Sequence, residues 1–183
     1  LPTEFRNLTI PSRVIIMRES IVMPNVLRLF SILLACAVLL AAQSRYEGPR
    51  PEKADLPYLL HARTLIETES SEAQQSTDKR FTLYTVSGVT SPARTPVPEP
   101  IFIFKSDRIN ADRLTLYKMT VEKGTRVIRF PDRPGKNSPK PVYLMVTPLE
   151  KGLFKVEVNE PIEDGEYCLT PEGVNTVFCF TTY

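Results

Sequence analysis

Glycine is scarce in this chain: seven in 183 residues, Gly48, Gly88, Gly124, Gly135, Gly152, Gly165 and Gly173. They lie too far apart for the glycine-rich phosphate cradle of a P-loop or a dinucleotide fold. A single histidine, His61, excludes H-E-x-x-H motifs, His-rich zinc sites and two-histidine iron triads within one chain. No G-x-S-x-G nucleophile elbow occurs. Tryptophan is absent, so an aromatic platform for glycans would rest mostly on seven tyrosines that the strands themselves need. Ser76-Thr77-Asp78-Lys79 matches S-x-x-K by letter only, in a polar stretch without companion motifs. The stretches NEPIEDGEY (159–167) and DRINADR (107–113) lack the D-x-D-x-D-G spacing of a calcium loop and read as solvated turns. No cofactor, metal site or catalytic residue is therefore expected.

One long apolar run is present, near the N-terminus. In MPNVLRLFSILLACAVLLAAQS, Arg28 supplies a positive flank, Leu29 to Ala42 an apolar segment, and Ala42-Gln43-Ser44 a small-x-small cleavage site. That is the plan of a secretory signal peptide over 23–44, and its apolar part falls short of the ~20 residues that span a bilayer. Residues 1–22 read as a leader called too far upstream. Leu33-Leu34-Ala35-Cys36 resembles a lipobox, but the apolar AVLLAA after Cys36 is a poor start for a lipoprotein tether.

The chain's excess of positive charge belongs to this N-terminal part. Four of the 23 basic and two of the 21 acidic residues precede Arg45, so 45–183 carries 19 of each. A neutral domain gives no reason to expect nucleic acid or an anionic membrane as partner, and membrane contact is expected only through the signal or anchor segment. Locally the charges separate, with six basic residues against Asp132 over 123–140 and seven acids against two lysines over 150–172. These read as two solvated faces or as a dipolar surface able to dock a partner or a second copy of the chain.

Residues 45–56 (RYEGPRPEKADL) form a proline- and charge-rich tether. From residue 57 to 183 the text is strand: YLLHARTLIET, RFTLYTV, PIFIFK, RLTLYKMTV, GTRVIRF, KPVYLMVTPL, LFKVEVN, GEYCLT and NTVFCFTTY. About nine short runs broken by Pro, Gly, Asn and Asp predict a single antiparallel β-sandwich, immunoglobulin-like or jelly-roll-like. RFTLYTV and KPVYLMV are apolar on both faces and suit central strands. ETESSEAQQSTDKR (67–80) has no apolar stripe and reads as a loop or a marginal surface helix. SPARTPVPEP (91–100), with four prolines, reads as extended and stiff. His61, inside YLLHART, reads as a hydrogen-bonded, half-buried strand histidine.

Cys168 and Cys179 flank the last hairpin, and their relation depends on its register. A three-residue loop at Thr170-Pro171-Glu172-Gly173 puts them on opposite faces. Burying Tyr167, Leu169, Phe178 and Phe180 together requires an odd pairing sum, which puts both cysteines on one face. A two-residue loop then sets them directly opposite, within disulfide reach. A four-residue loop sets them diagonal, about 7–8 Å apart and beyond comfortable bridging.

The ending LEKGLFKVEVNEPIEDGEYCLTPEGVNTVFCF resembles the closing strands of small secreted β-sandwich proteins. With LPYLLHA and SPARTPVPEPIF before it, the chain resembles uncharacterised exported proteins of soil bacteria of the acidobacterial type. The resemblance implies fold and compartment and brings no catalytic residues. The expectation is a periplasmic or extracellular, non-enzymatic module that binds an envelope protein or a surface polymer. The rival is a loop-built hydrolase on the same fold, using His61 and loop carboxylates.

Overall fold

The computed structural model describes residues 45–136 and 138–183. The leader, the signal peptide and Cys36 lie outside the described residues. No helix among the described residues is long and apolar enough to cross a membrane. The one helical turn among them is a 3-10 turn, Ala111–Arg113, whose N-terminus is capped by the Asn110 side chain accepting from the Asp112 amide.

The rest is strand: β1 Leu56–His61, β2 Thr64–Glu67, β3 Glu69–Glu72, β4 Gln74–Asp78, β5 Phe81–Ser87, β6 Arg94–Thr95, β7 Ile101–Lys105, β8 Thr115–Glu122, β9 Thr125–Pro131, β10 Leu144–Glu150, β11 Leu153–Val158, β12 Gly165–Thr170 and β13 Thr176–Thr182. Two antiparallel sheets pack face to face as a sandwich. One has the order β10-β11-β7-β1-β2; the other runs β3-β13-β12-β8-β9-β5-β4, with β6 added in parallel beside β13.

Thirteen strands replace the nine runs read from the sequence. YLLHARTLIET folds back on itself as β1 and β2, turning at Ala62–Arg63 with Ala62 at φ 55°. The polar stretch 67–80, expected as a loop or surface helix, is β3 and β4. It lacks an apolar stripe because every residue of β4 is exposed, while on β3 the half-buried positions Glu69 and Ser71 face a polar layer. The KPVYLMV run, expected as a central strand, is instead the edge strand β10. Leu144 and Val146 pack on the core, Met145 is exposed, and Pro148, which has no amide to donate, sits where no neighbour needs one.

The larger sheet closes on itself. β3 and β4 are halves of one continuous strand joined at Ala73; the first half pairs with β13 and the second with β5, the two ends of the sheet path. The result is a six-staved barrel with one flank covered by the five-stranded sheet. Lys123 and Gly124, at φ 46° and 85°, make the tight turn between β8 and β9, a geometry that glycine adopts without steric cost.

The staves β12 and β13 explain the unbroken apolar text of GEYCLT and NTVFCF, since both of their faces are buried. Tyr167, Leu169, Phe178 and Phe180 point out of the barrel into the sandwich core, against Phe102, Phe104, Val156, Val158 and Leu59 of the smaller sheet. Phe180 meets Phe102 edge to face at 5.2 Å and stacks on Tyr167 at 5.7 Å.

The proline-rich stretch before β1 makes specific contacts with the smaller sheet. The Tyr46 amide and the Arg50 guanidinium both donate to Glu150 at the end of β10, at 2.8 Å and 2.6–2.8 Å. The Lys53 amide donates to the Tyr58 phenol, and Asp55 donates its amide to the Lys105 carbonyl while its carboxylate accepts from Ser106 and Arg108.

Candidate functional site

Alternation along the staves sends every second side chain into the barrel, and these side chains form two unlike layers. The first layer is polar and closes one end. Arg126 on β9 is fully buried and forks onto Glu69 of β3 with two 2.7 Å bonds. Its remaining donors go to the Ser87 and Gly88 carbonyls, and Glu166 of β12 lies 3.8 Å away. Glu166 accepts from the Ser91 amide at 3.0 Å and from the Thr181 hydroxyl at 2.8 Å, while the Ser91 hydroxyl donates to the Cys179 carbonyl.

Every charge in this layer is paired and hydrogen-bonded, as buried ions must be. Burial pushes the Glu69 carboxyl up, but the bonds from Arg126 and Ser71 and the Arg126 charge outweigh it and hold the group below the usual carboxylate range. The layer is a plug: Arg126 and Glu166 are sealed from water.

The second layer is apolar and open. A cavity of about 290 Å³ is walled by Tyr84, Tyr117 and Phe130 and, deeper, by Ala73, Val86, Met119, Ile128 and Val177. Cys168 lies in its wall, and Thr170, Pro171, Gly173, Val174 and Asn175 form the rim. Phe130 is clasped edge to face by Tyr84 at 5.9 Å and Tyr117 at 5.3 Å. None of these lining side chains is charged. Desolvation alone pushes the Tyr117 phenol up. Such a cavity can hold a neutral apolar group, with the tyrosine phenols, the Thr170 hydroxyl and the Asn175 amide as the polar contacts.

Cys168 and Cys179 form a disulfide across β12 and β13, with Cα atoms 4.0 Å apart. They are directly opposed, Leu169 faces Phe178, and both sulfurs lie on the barrel side while the four large apolar side chains face the sandwich core. The odd register expected from that burial is therefore the one present. The ladder ends at the Leu169–Phe178 pair, and Pro171 to Asn175 widen into the rim loop with Gly173 at φ 78°.

His61 is placed differently from the expectation of a half-buried histidine. It is the last residue of β1, exposed and opposite Thr64, because the chain turns immediately after it at Ala62–Arg63. It is not among the residues that line the cavity. No group of three or more His, Cys, Asp or Glu side chains that could hold a metal ion occurs among the described residues. The loop acids have other partners: Glu163 pairs with Lys118 at 2.7 Å, Glu160 accepts from the Tyr143 amide, and Asp55 holds Arg108.

Many members of the two charge runs are held in ion pairs. Of the acids in 150–172, Glu150 pairs with Arg50, Glu157 with Lys155, Glu163 with Lys118, Glu172 with Arg113, and Glu166 turns inward to Arg126. Of the basic run, Arg126 is inside the barrel and Arg129 holds Glu122.

The cavity-lining residues were not singled out from sequence. Their signal was the two-sided apolarity of RFTLYTV, RLTLYKMTV and GTRVIRF, together with an arginine inside one of those runs and a lone alanine, Ala73, amid polar text. No protein-family model, no curated protein and no solved structure matches this chain.

Proposed function

We propose that this chain is an exported, non-enzymatic binding module whose recognition site is the open end of the barrel. There it would hold an apolar group presented by an envelope protein or a surface polymer. The observation that carries the reading is the contrast within one lumen: the far end is filled and fully satisfied, while the near end keeps about 290 Å³ of apolar space open to the rim. Small barrels ordinarily fill their interior with side chains, and a lumen left open is the usual form of a ligand site in such folds. The disulfide is compatible with an oxidising, exported compartment, and it braces the two staves that carry the rim loop.

The test is recovery of a partner from native envelope extract by the disulfide-intact chain, compared with Val86→Phe, which puts a ring into the floor of the cavity. The expected result is a partner retained by the wild type and lost by the variant. Recovery of no partner at any salt concentration, or equal recovery by both proteins, overturns the reading.

A further inference from the structure

We propose that the open half of the lumen is shaped for a planar, uncharged aromatic group of one or two rings, rather than for an alkyl chain or an anion; this rests on the binding reading above. Depth is the first reason. On β5, β8 and β9 the apolar wall is two lumen-facing residues deep: Tyr84 and Val86, Tyr117 and Met119, Phe130 and Ile128. Two strand residues span about 7 Å, and the second of them already stands level with the plug, Val86 opposite Arg126 and Met119 opposite Glu166. A long chain entering from the rim meets buried charge after that distance. A ring uses width instead of length.

Volume agrees. At about 290 Å³ the space is roughly twice that of an engineered apolar cavity that takes benzene, and it lies at the small end of ordinary ligand sites. The chemistry of the wall points the same way. Phe130 stands nearly perpendicular to both tyrosine rings, at 80° and 85°, so the mouth presents ring faces and ring edges together. An inserted ring can meet edges with its face and faces with its edge. Below it, the Met119 thioether and Cys168 of the disulfide offer polarizable sulfur, which favours contact with aromatic rings. An anion has no cation to meet among the lining residues, and placing one there would cost its hydration.

The experiment is titration calorimetry of the full chain with three probes: 2-naphthol, n-octanol and 2-naphthoate. The expected result is saturable one-to-one binding of 2-naphthol, with octanol and naphthoate weaker by about tenfold or more, and 2-naphthol weakened by a similar factor in Val86→Phe. The apolar N-terminal run is common to both proteins, so the difference between them belongs to the lumen. Octanol binding as tightly as naphthol, with both blocked by Val86→Phe, overturns the aromatic class and leaves the lumen as the site. Absence of binding by all three probes, or binding unaffected by Val86→Phe, overturns both. Should Val86→Phe fail to fold, the side-chain methyl resonances of Met119, Ile128 and Val177 decide in the wild type. Ring-current shifts on adding 2-naphthol support the proposal, and their absence overturns it.

Discussion

The two ends of the barrel stand on the same six staves and differ only in what their alternate positions carry. At one end β9 presents Arg126, β3 Glu69 and β12 Glu166, and polar groups from the 87–91 segment close over them. At the other, the inward positions are Ile128 and Phe130 on β9, Ala73 between β3 and β4, and Cys168 on β12, and the Pro171 to Asn175 loop borders the space they leave. Long charged side chains reach across a narrow barrel and satisfy one another. Rings and short aliphatic side chains stop at the wall and leave space. The proposed binding role rests on this difference and on no motif: the charged end is filled with hydrogen-bonded side chains while the apolar end keeps open space.

The largest test of this contrast is at the closed end. Arg126→Leu leaves the buried Glu166 and the partly buried Glu69 without their cation, and the expected loss is about 3 kcal/mol in chemical denaturation. A loss below ~1 kcal/mol would mean that the layer is hydrated and is no plug. Next comes the disulfide between the two layers. Cys168→Ser with Cys179→Ser opens a 12-residue loop, with an expected cost of about 2–3 kcal/mol, read as a lower denaturant midpoint that the wild type reproduces under reductant. At the open end, Phe130→Ala removes a half-buried ring that borders existing space. The expected cost is about 2 kcal/mol, roughly half that of a fully buried phenylalanine, together with weaker 2-naphthol binding. If Phe130→Ala proved costlier than Arg126→Leu, the open end would be the structural one and the assignment of roles would reverse.

Much of this arrangement is legible in the sequence, and the unread part has a common cause. Alternation in LFKVEVN and the two-sided apolarity of GEYCLT and NTVFCF follow from burial that each strand feels individually, so strand text and the shared face of the two cysteines could be inferred, while the choice between the two odd registers could not. Barrel closure depends on a strand whose inward residues face other polar residues. Glu69 and Ser71 are inward-facing yet polar, because Arg126, nearly sixty residues away in sequence, supplies the counter-charge. No local pattern carries that information. The same holds for the acidic run, three of whose members pair with Arg50, Arg113 and Lys118 from distant segments. The cavity is hidden for a related reason: its wall residues look like core, and only the closure of the barrel leaves them facing space.

The smallest effect is in pH, and it sets the two ends at opposite limits of the scale. At the closed end the folded Glu69 carboxyl is held below 4.5, so the unfolded chain binds its proton more readily than the folded one. The stabilisation from that group is complete above about pH 4.5 and is lost as pH falls through the folded value. Surface carboxyls lowered in the same sense share this acid limb, among them Asp55 beside Ser106 and Arg108, and Glu150, which its bond from Arg50 lowers to about 2. At the open end the sign is reversed. Burial raises the Tyr117 phenol above 10, so its contribution is complete below about pH 10 and is lost as pH rises through the folded value, a limb it shares with Tyr58 and Tyr167. Glu69→Gln is therefore expected to flatten the acid limb of stability against pH and leave the alkaline limb unchanged. Tyr117→Phe should do the converse, with both read as denaturant midpoints from pH 3 to about pH 11. A variant that moved the limb belonging to the other end would show that the two layers titrate as one, and the plug and the pocket would have to be treated as a single site.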